Sequence, residues 1–321
     1  MFTLRFDMRA SEGAASTPDL YAAAVDMCAW AEKRGAVVAV LSEHHATSDG
    51  HLAAPYLLAS AIAARTSQLA IMVAAVPIPL WDPVRQAEQI CALDIISRGR
   101  VMHAFGIGHR PQEYEHFGID IRQRGRLADE NLGTLLGLLR GDTVKYRGRT
   151  VRVTPSCPGD RPYLLVAGGS EAAADRAARF GLGFISQTSS RSLRDYYESR
   201  CRVHGQQPGS MQFPVPGAPT TVFVADDVDA AWAELGPYLL HDAMTAASYR
   251  HGDVSVASIS HAESVEALRE SAGPYRIVTP GQAADYIAAG TPLPLLPLCG
   301  GIPPKVAWPY LERAVLSVQS V

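Results

Sequence analysis

The first residues of this 321-residue chain that could do chemistry are a triplet, Glu43-His44-His45, placed at the end of an apolar run over residues 37–41. A carboxylate beside two imidazoles is an acid–base set, because a neutral imidazole can take or give a proton near physiological pH. His44 is the candidate catalyst and Glu43 its accompanying acid. The competing reading of Glu43 and His45 is hydrogen-bonded support. A metal centre made from the same residues, as in a barrel hydrolase, meets a geometric objection. Neighbouring residues on an extended strand point to opposite faces, so His44 and His45 would share an ion only if the turn began there.

Two glycine-rich turns follow. Gly168-Gly169-Ser170 sits between an apolar run and an alanine-rich helical segment opening at Glu171. Glycines let the backbone approach a ligand, and the unpaired first N–H groups of a helix, aided by its dipole, favour an anion. The reading is a phosphate cradle; the alternative is a plain turn with Ser170 as N-cap. The second turn, Gly106-Ile107-Gly108-His109-Arg110-Pro111, lacks the third glycine and the following strand-borne acid of a dinucleotide fingerprint, which argues against a built-in nicotinamide site. His51, His109 and Arg110 are candidates for a substrate pocket.

What must position these groups is a series of strand–helix pairs. Strands are predicted at 3–7, 37–41, 69–76, 100–105, 163–167, 184–185, 220–225 and 294–299. The helices following them are predicted at 19–34, 52–65, 83–96, 124–139, 171–180, 193–204, 228–240 and 306–316, with a hairpin over 144–153. Eight such pairs are the number that closes a parallel (β/α)8 TIM barrel, whose functional groups lie at the carboxyl ends of the strands. No linker composition divides the chain, so the expectation is one barrel domain over 1–321. Residues 241–280 break the alternation and read as an insertion before the last strand, suited to a lid.

Composition narrows the partners. A net charge of −3 with scattered arginines offers no basic field for nucleic acid. The five cysteines are odd in number, widely spaced and never Cys-x-x-Cys, which fits a reduced, cytoplasmic compartment. Residues 1–8 are interrupted by Arg5 and Asp7 and make no secretory signal, and no stretch reads as membrane-spanning.

Taken in order, Glu43-His44-His45, Ala74-Ala75, Asp82-Pro83-Val84-Arg85, Leu93-Asp94-Ile95-Ile96-Ser97-Arg98-Gly99-Arg100, Phe117-Gly118-Ile119-Asp120, Ala167-Gly168-Gly169-Ser170 and Gly300-Gly301-Ile302-Pro303-Pro304 resemble the bacterial luciferase-like flavin-dependent monooxygenases across essentially the whole chain. The resemblance implies reduced FMN as cofactor, dioxygen and a small organic compound as substrates, and a separate flavin reductase as transient partner. It implies proton transfer at His44 with Glu43 beside it. It also implies a non-proline cis peptide at Ala74-Ala75 under the flavin ring, contacts from Gly106 and Gly108, and the phosphate at Gly168, Gly169 and Ser170. A homodimer through the helices after strands two and three is implied as well, with Ala59, Ile62 and Ala63 suited to close contact.

Departures from the pattern are as informative. Ile107 stands where many relatives have a phosphate-binding arginine, which leaves Arg110, Arg124 or Arg126 to supply the charge. His109 replaces a tyrosine, Ala54 replaces an asparagine, and Gly106 replaces the reactive cysteine of luciferases proper, so light emission is not implied. On the same barrel a deazaflavin coenzyme would make the enzyme a dehydrogenase; Glu-His-His rather than Asp-His at the second strand favours FMN. A flavin-binding protein without turnover is the remaining alternative.

Overall fold

The computed structural model describes residues 1–11, 13–158, 162–249 and 256–319. In chain order the elements are β1 (Phe2–Phe6), α1 (Thr17–Glu32), β2 (Ala36–Leu41), α2 (Pro55–Arg65), β3 (Ala70–Pro77), α3 (Pro83–Ser97), β4 (Val101–Gly106), α4 (Pro111–His116), α5 (Arg124–Leu139), β5 (Val144–Tyr146), β6 (Arg149–Val151) and β7 (Tyr163–Gly168). They continue with α6 (Glu171–Arg179), β8 (Gly183–Ser186), α7 (Arg191–Val203), β9 (Met211–Gln212), β10 (Thr221–Val224), α8 (Val228–Ser248), α9 (Val265–Glu270), β11 (Tyr275–Val278), α10 (Pro280–Ala288), β12 (Leu293–Leu295) and α11 (Pro304–Gln319).

Helix starts follow local chemistry. Ser16, Asp82, Ser170, Ser190, Asp227 and Ser264 each stand at an N-cap and accept a backbone N–H from the first turn, and Thr279 with Gln282 forms a reciprocal capping box. Helix α3 ends on Arg98 in the left-handed region at φ 58°.

The chain divides into two compact units, one of residues 1–53, 65–70 and 215–321, the other of 54–64 and 71–214. In the first unit a parallel sheet runs in the order β11-β10-β12-β1-β2. The buried residues Phe2, Leu4, Phe6, Ala39, Leu41, Leu293 and Leu295 come from alternate positions of β1, β2 and β12, while β10 is buried at all four of its positions, Thr221 to Val224. In the second unit the order is β3-β4-β7-β8-β9, again parallel, with β5 and β6 as a separate antiparallel hairpin.

The stretch 241–280 holds more regular structure than its reading as a simple insertion. Helix α8 runs through Ser248, past Pro237, eight residues beyond the predicted end. It continues because Asp242 is drawn into a buried ion cluster, a long-range contact that helical periodicity does not register. Further along, α9 and β11 form, and β11 adds to the sheet beside β10 with Thr221, Val222, Phe223 and Val224 opposite Tyr275, Arg276, Ile277 and Val278. Residues 250–255 of this stretch lie outside the described residues. Among the described residues no helix is long and apolar enough to cross a membrane.

Candidate active site

In the first unit β2 ends at Leu41 and the chain turns through Ser42, Glu43, His44 and His45. The turn is held by the backbone of His44 donating to Leu52 O at 3.1 Å and that of Leu52 donating to Asp7 O at 2.7 Å. Glu43 is buried, and its Oε1 lies 2.9 Å from His45 Nε2. His44 turns elsewhere: its ring meets the His51 ring edge-on at 4.8 Å between centroids and the Tyr249 ring at 5.4 Å. His45 is tied to the acid, and the His44 ring packs against two aromatic rings. Among the described residues no three metal-ligating side chains gather in a geometry that would hold an ion.

Behind His44 lies a buried charged network. Arg9, which leaves the exit of β1, is 4% exposed, places Nη1 3.3 Å from Asp242 Oδ1, and stacks its guanidinium 5.2 Å from the centre of the Tyr249 ring. Asp242 also accepts from the Tyr275 hydroxyl at 2.6 Å and lies 4.0 Å from Arg5. Asp49 completes the set, with Oδ2 at 3.4 Å from His241 Nε2 and 3.9 Å from Arg9 Nε.

This network sorts charge within the unit. Burial works against the Asp242 carboxylate, but Arg9, Arg5 and the Tyr275 hydroxyl hold its pKa below the ordinary value. Asp7 is pushed the other way, to about 6, by burial and by Asp242, with Arg9 and Arg5 only partly offsetting them. Burial, then Arg9 and His44, drives the His51 imidazole well below its usual pKa. His51 thus stays neutral near pH 7, which leaves the exposed side of the pair to His44.

In the second unit three neighbouring strand exits collect the glycines. A Cβ added to Gly106, at the end of β4, would lie 3.4 Å from Ala75 Cβ at the end of β3 and 3.8 Å from Ala167 O at the end of β7. The Ala74–Ala75 peptide is cis, as the resemblance implies. Gly108 has φ +67°, and the Tyr114 hydroxyl donates to Ile107 O, fixing the loop between them. At the β7–α6 turn a Cβ on Gly168 would sit 2.6 Å from Ala173 Cβ, and one on Gly169 would sit 3.1 Å from Thr188 Cγ2. The turn thus has room for backbone only, at the head of a nine-residue helix whose Ser170 hydroxyl caps Ala173 N.

The candidate arginines separate by what they already hold. Arg110 is buried with Nη1 3.2 Å from Glu113 Oε1, and Arg126 bonds both Gln123 and Glu130. Arg124 pairs with no carboxylate among the described residues. It stands at the head of α5, which Arg176 of α6 laces to its own helix through Asp129 at 2.6 Å and Gly125 O at 3.3 Å. A diglycine at a helix N-terminus presents unpaired backbone N–H groups, an arrangement that favours an anion.

Glu43, His44 and His51 therefore come together in one unit, and Ala74, Ala75, Gly106, Gly108, Gly168, Gly169 and Ser170 cluster in the other. Arg110 is committed to an ion pair. Sequence reasoning missed Arg9, Asp49, Asp242 and Tyr249. Arg9 was open to notice, since it lies two residues after Asp7 at the first strand's exit; the other three come from positions that only folding brings near it.

The family profile described as luciferase-like monooxygenase matches residues 2–292, and the chain belongs to that family. Among curated relatives, the alkanal monooxygenase alpha chain of Photorhabdus luminescens is 32% identical over 152 residues, 45% of this chain and 42% of the relative. The match thus spans less than half of that relative's length. Among solved structures, a monooxygenase from Streptomyces bottropensis superposes with a TM-score of 0.78 at 20% identity, covering 100% of this chain and 99% of that one. The oxygenating constituent of 3,6-diketocamphane monooxygenase from Pseudomonas putida, a type II Baeyer–Villiger enzyme in complex with FMN, gives 0.72 at 17% identity, covering 99% and 98%. The chain shares the fold of these proteins over its whole length, which is the (β/α)8 class that the count of strand–helix pairs implies.

Proposed function

We propose that this protein is a monooxygenase that uses reduced FMN and dioxygen to oxidise a small organic substrate, the reduced flavin coming from a separate reductase. The observation that carries the reading is the β7–α6 turn, where Gly168 and Gly169 bring bare backbone to the head of a helix and a side chain at either would press on Ala173 or Thr188, joined to membership of a family in which a structural neighbour holds FMN. The absence of a dinucleotide fingerprint supports the separate reductase.

FMN, when bound, supplies the redox chemistry. The chain's own residues do the rest. Backbone N–H groups of Gly169 and Ser170 hold the phosphate, Arg124 supplies the charge that Ile107 cannot, and Ala74, Ala75, Gly106 and Gly108 offer a surface of small groups for a flat ring. His44 gives or takes a proton at a ring nitrogen, with Glu43 fixing the turn through His45 and neutral His51 set against its ring. Tyr249, stacked on Arg9, closes the side of His44 and excludes water there. The alkanal relative supports an aldehyde substrate, and the diketocamphane neighbour a ketone.

Association as a homodimer belongs to the same reading, through a different set of residues from those first expected. Ala59, Ile62 and Ala63 are buried in the chain's own core, while Leu57 is 74% exposed and Ile95 and Ile96 stand exposed on α3. Leu57→Lys is expected to give a monomer in light scattering where the wild type is a dimer.

The deciding experiment is titration of the protein with reduced FMN under anaerobic conditions, followed by oxygen and a panel of aldehydes and ketones. Flavin binding with oxygen-dependent product supports the reading. Binding of a deazaflavin coenzyme with hydride transfer and no oxygen consumption would replace it, as would oxidation driven by nicotinamide alone.

A further inference from the structure

The five cysteines show no pairing by spacing, yet the fold brings two of them into contact. Cys91, on α3, and Cys157, beyond the β5–β6 hairpin, are 66 positions apart with their sulfurs 2.9 Å from each other. Both are free thiols and both are buried, Cys91 at 1% and Cys157 at 7% exposed. A disulfide needs about 2.05 Å between the sulfurs. Closing the difference takes a displacement smaller than a bond length.

We propose that Cys91 and Cys157 form a peroxide-sensitive dithiol, an oxidation site at which a hydroperoxide converts the pair to an intramolecular disulfide. Either thiol can donate to the other, so the contact places each sulfur where it can attack its neighbour. Burial and the nearby Asp94 carboxylate oppose ionisation, so the resting state is two thiols.

The chemistry balances with hydrogen peroxide as the two-electron oxidant. One sulfur of the pair attacks a peroxide oxygen, the O–O bond breaks, water departs and that cysteine becomes a sulfenic acid. The other sulfur then attacks it, the S–S bond forms, the S–O bond breaks, and the attacking thiol's proton leaves with the second water. Two thiols lose two electrons and two protons in total, and one peroxide becomes two waters. The source of peroxide rests on the proposed function, since two-electron reduction of dioxygen that is not coupled to substrate releases it; the reactivity of the pair does not.

The bridge would fasten α3 to the segment leading into β7. A tie between the same regions already exists at the other end of α3, where the Tyr146 hydroxyl donates to Asp82 Oδ2 at 2.9 Å. Oxidation would thus staple the hairpin excursion at two points and constrain the unfolded chain across a long loop.

The test treats the full-length protein without flavin with hydrogen peroxide, then denatures it, alkylates it with iodoacetamide and maps it by mass spectrometry. The expected result is loss of two alkylatable thiols from the five, a peptide joining Cys91 to Cys157, and a rise in Tm of several degrees that dithiothreitol reverses. Cys91→Ser and Cys157→Ser should each abolish the crosslink, and Cys201→Ser should leave it intact. Five alkylatable thiols after treatment, or a crosslink through other cysteines, would overturn the proposal even if a serine variant failed to fold. A second arm replaces the reagent with reduced FMN and oxygen, with and without catalase. A crosslink in the first arm that is absent from the second keeps the dithiol and counts against oxygen reduction as its oxidant source.

Discussion

Around His44 the functional groups are side chains, most of them charged or ionisable and most of them buried: Arg9, Asp49, Asp242, His51 and Glu43. Around Gly168, Gly169 and Ser170 they are backbone, and the important property of the side chains is that they are small or missing. The first region must balance charge across residues far apart in sequence; the second must keep a short loop bare at the head of a helix. Charge networks tolerate little, because one missing partner leaves another ion buried and unpaired. A bare loop tolerates graded filling.

The comparison breaks most visibly at Asp242. Asp242→Ala leaves Arg9 and Arg5 without their shared carboxylate and the Tyr275 hydroxyl without an acceptor, at a cost of about 3–5 kcal/mol. Thermal unfolding should show a Tm lower by about 5–8 degrees. A loss of only a degree or two would mean that the network is not a structural unit.

His44 is next. His44→Gln should lower kcat about 10²–10⁴-fold if the imidazole transfers the proton, while the Kd for FMN stays within a few-fold. A parallel fall in affinity would make His44 part of the binding surface instead.

Stability against pH sharpens the contrast within the second unit, which has its own buried imidazole. His103 on β4 has no hydrogen-bond partner on either ring nitrogen, lies between Tyr56 and Phe105, and has its pKa pulled by burial from 6.5 to about 3. Below pH 6.5 the unfolded chain takes a proton that the folded chain refuses. The contribution of the neutral ring is therefore complete above 6.5 and is lost as pH falls toward 3, at about 1.4 kcal/mol per unit. Replacement by leucine should leave Tm at pH 7.5 nearly unchanged and make the variant more stable than wild type at pH 5. Asp7 titrates in the opposite sense: with its pKa raised to about 6, the folded state favours the protonated acid, so stability falls as pH rises from 3.8 toward 6. Asp7→Asn should gain over wild type at pH 7.5 and not at pH 4.

The smallest effects are expected at the glycine turn. Gly169→Ala places a methyl against Thr188, and Arg124→Ala removes a cation from the phosphate; each should raise the Kd for FMN about tenfold. Arg126→Ala, whose cation is already occupied by Glu130, should change it less than twofold. Equal losses for Arg124 and Arg126 would remove the distinction drawn between them.

Much of this molecule was legible in its sequence because the deciding interactions are local. Strand–helix alternation, the cap at Ser170, and the glycines at 106, 108, 168 and 169 act over a few residues, and periodicity and turn chemistry report them directly. Helix α5 runs over the residues that its pattern indicates, and the 144–153 excursion is a hairpin. The charge network behind His44 was not legible, since Arg9 and Asp242 are 233 positions apart and nothing in either neighbourhood names the other. The same holds for α8 beyond residue 240, for β11 inside a stretch that looked irregular, and for Cys91 against Cys157. The sequence by itself determined which residues could hold an anion or carry a proton, because backbone freedom and side-chain pKa belong to residue types. Only the tertiary structure decided which of them are buried, paired or neutral, because desolvation and Coulomb attraction depend on neighbours that folding brings together.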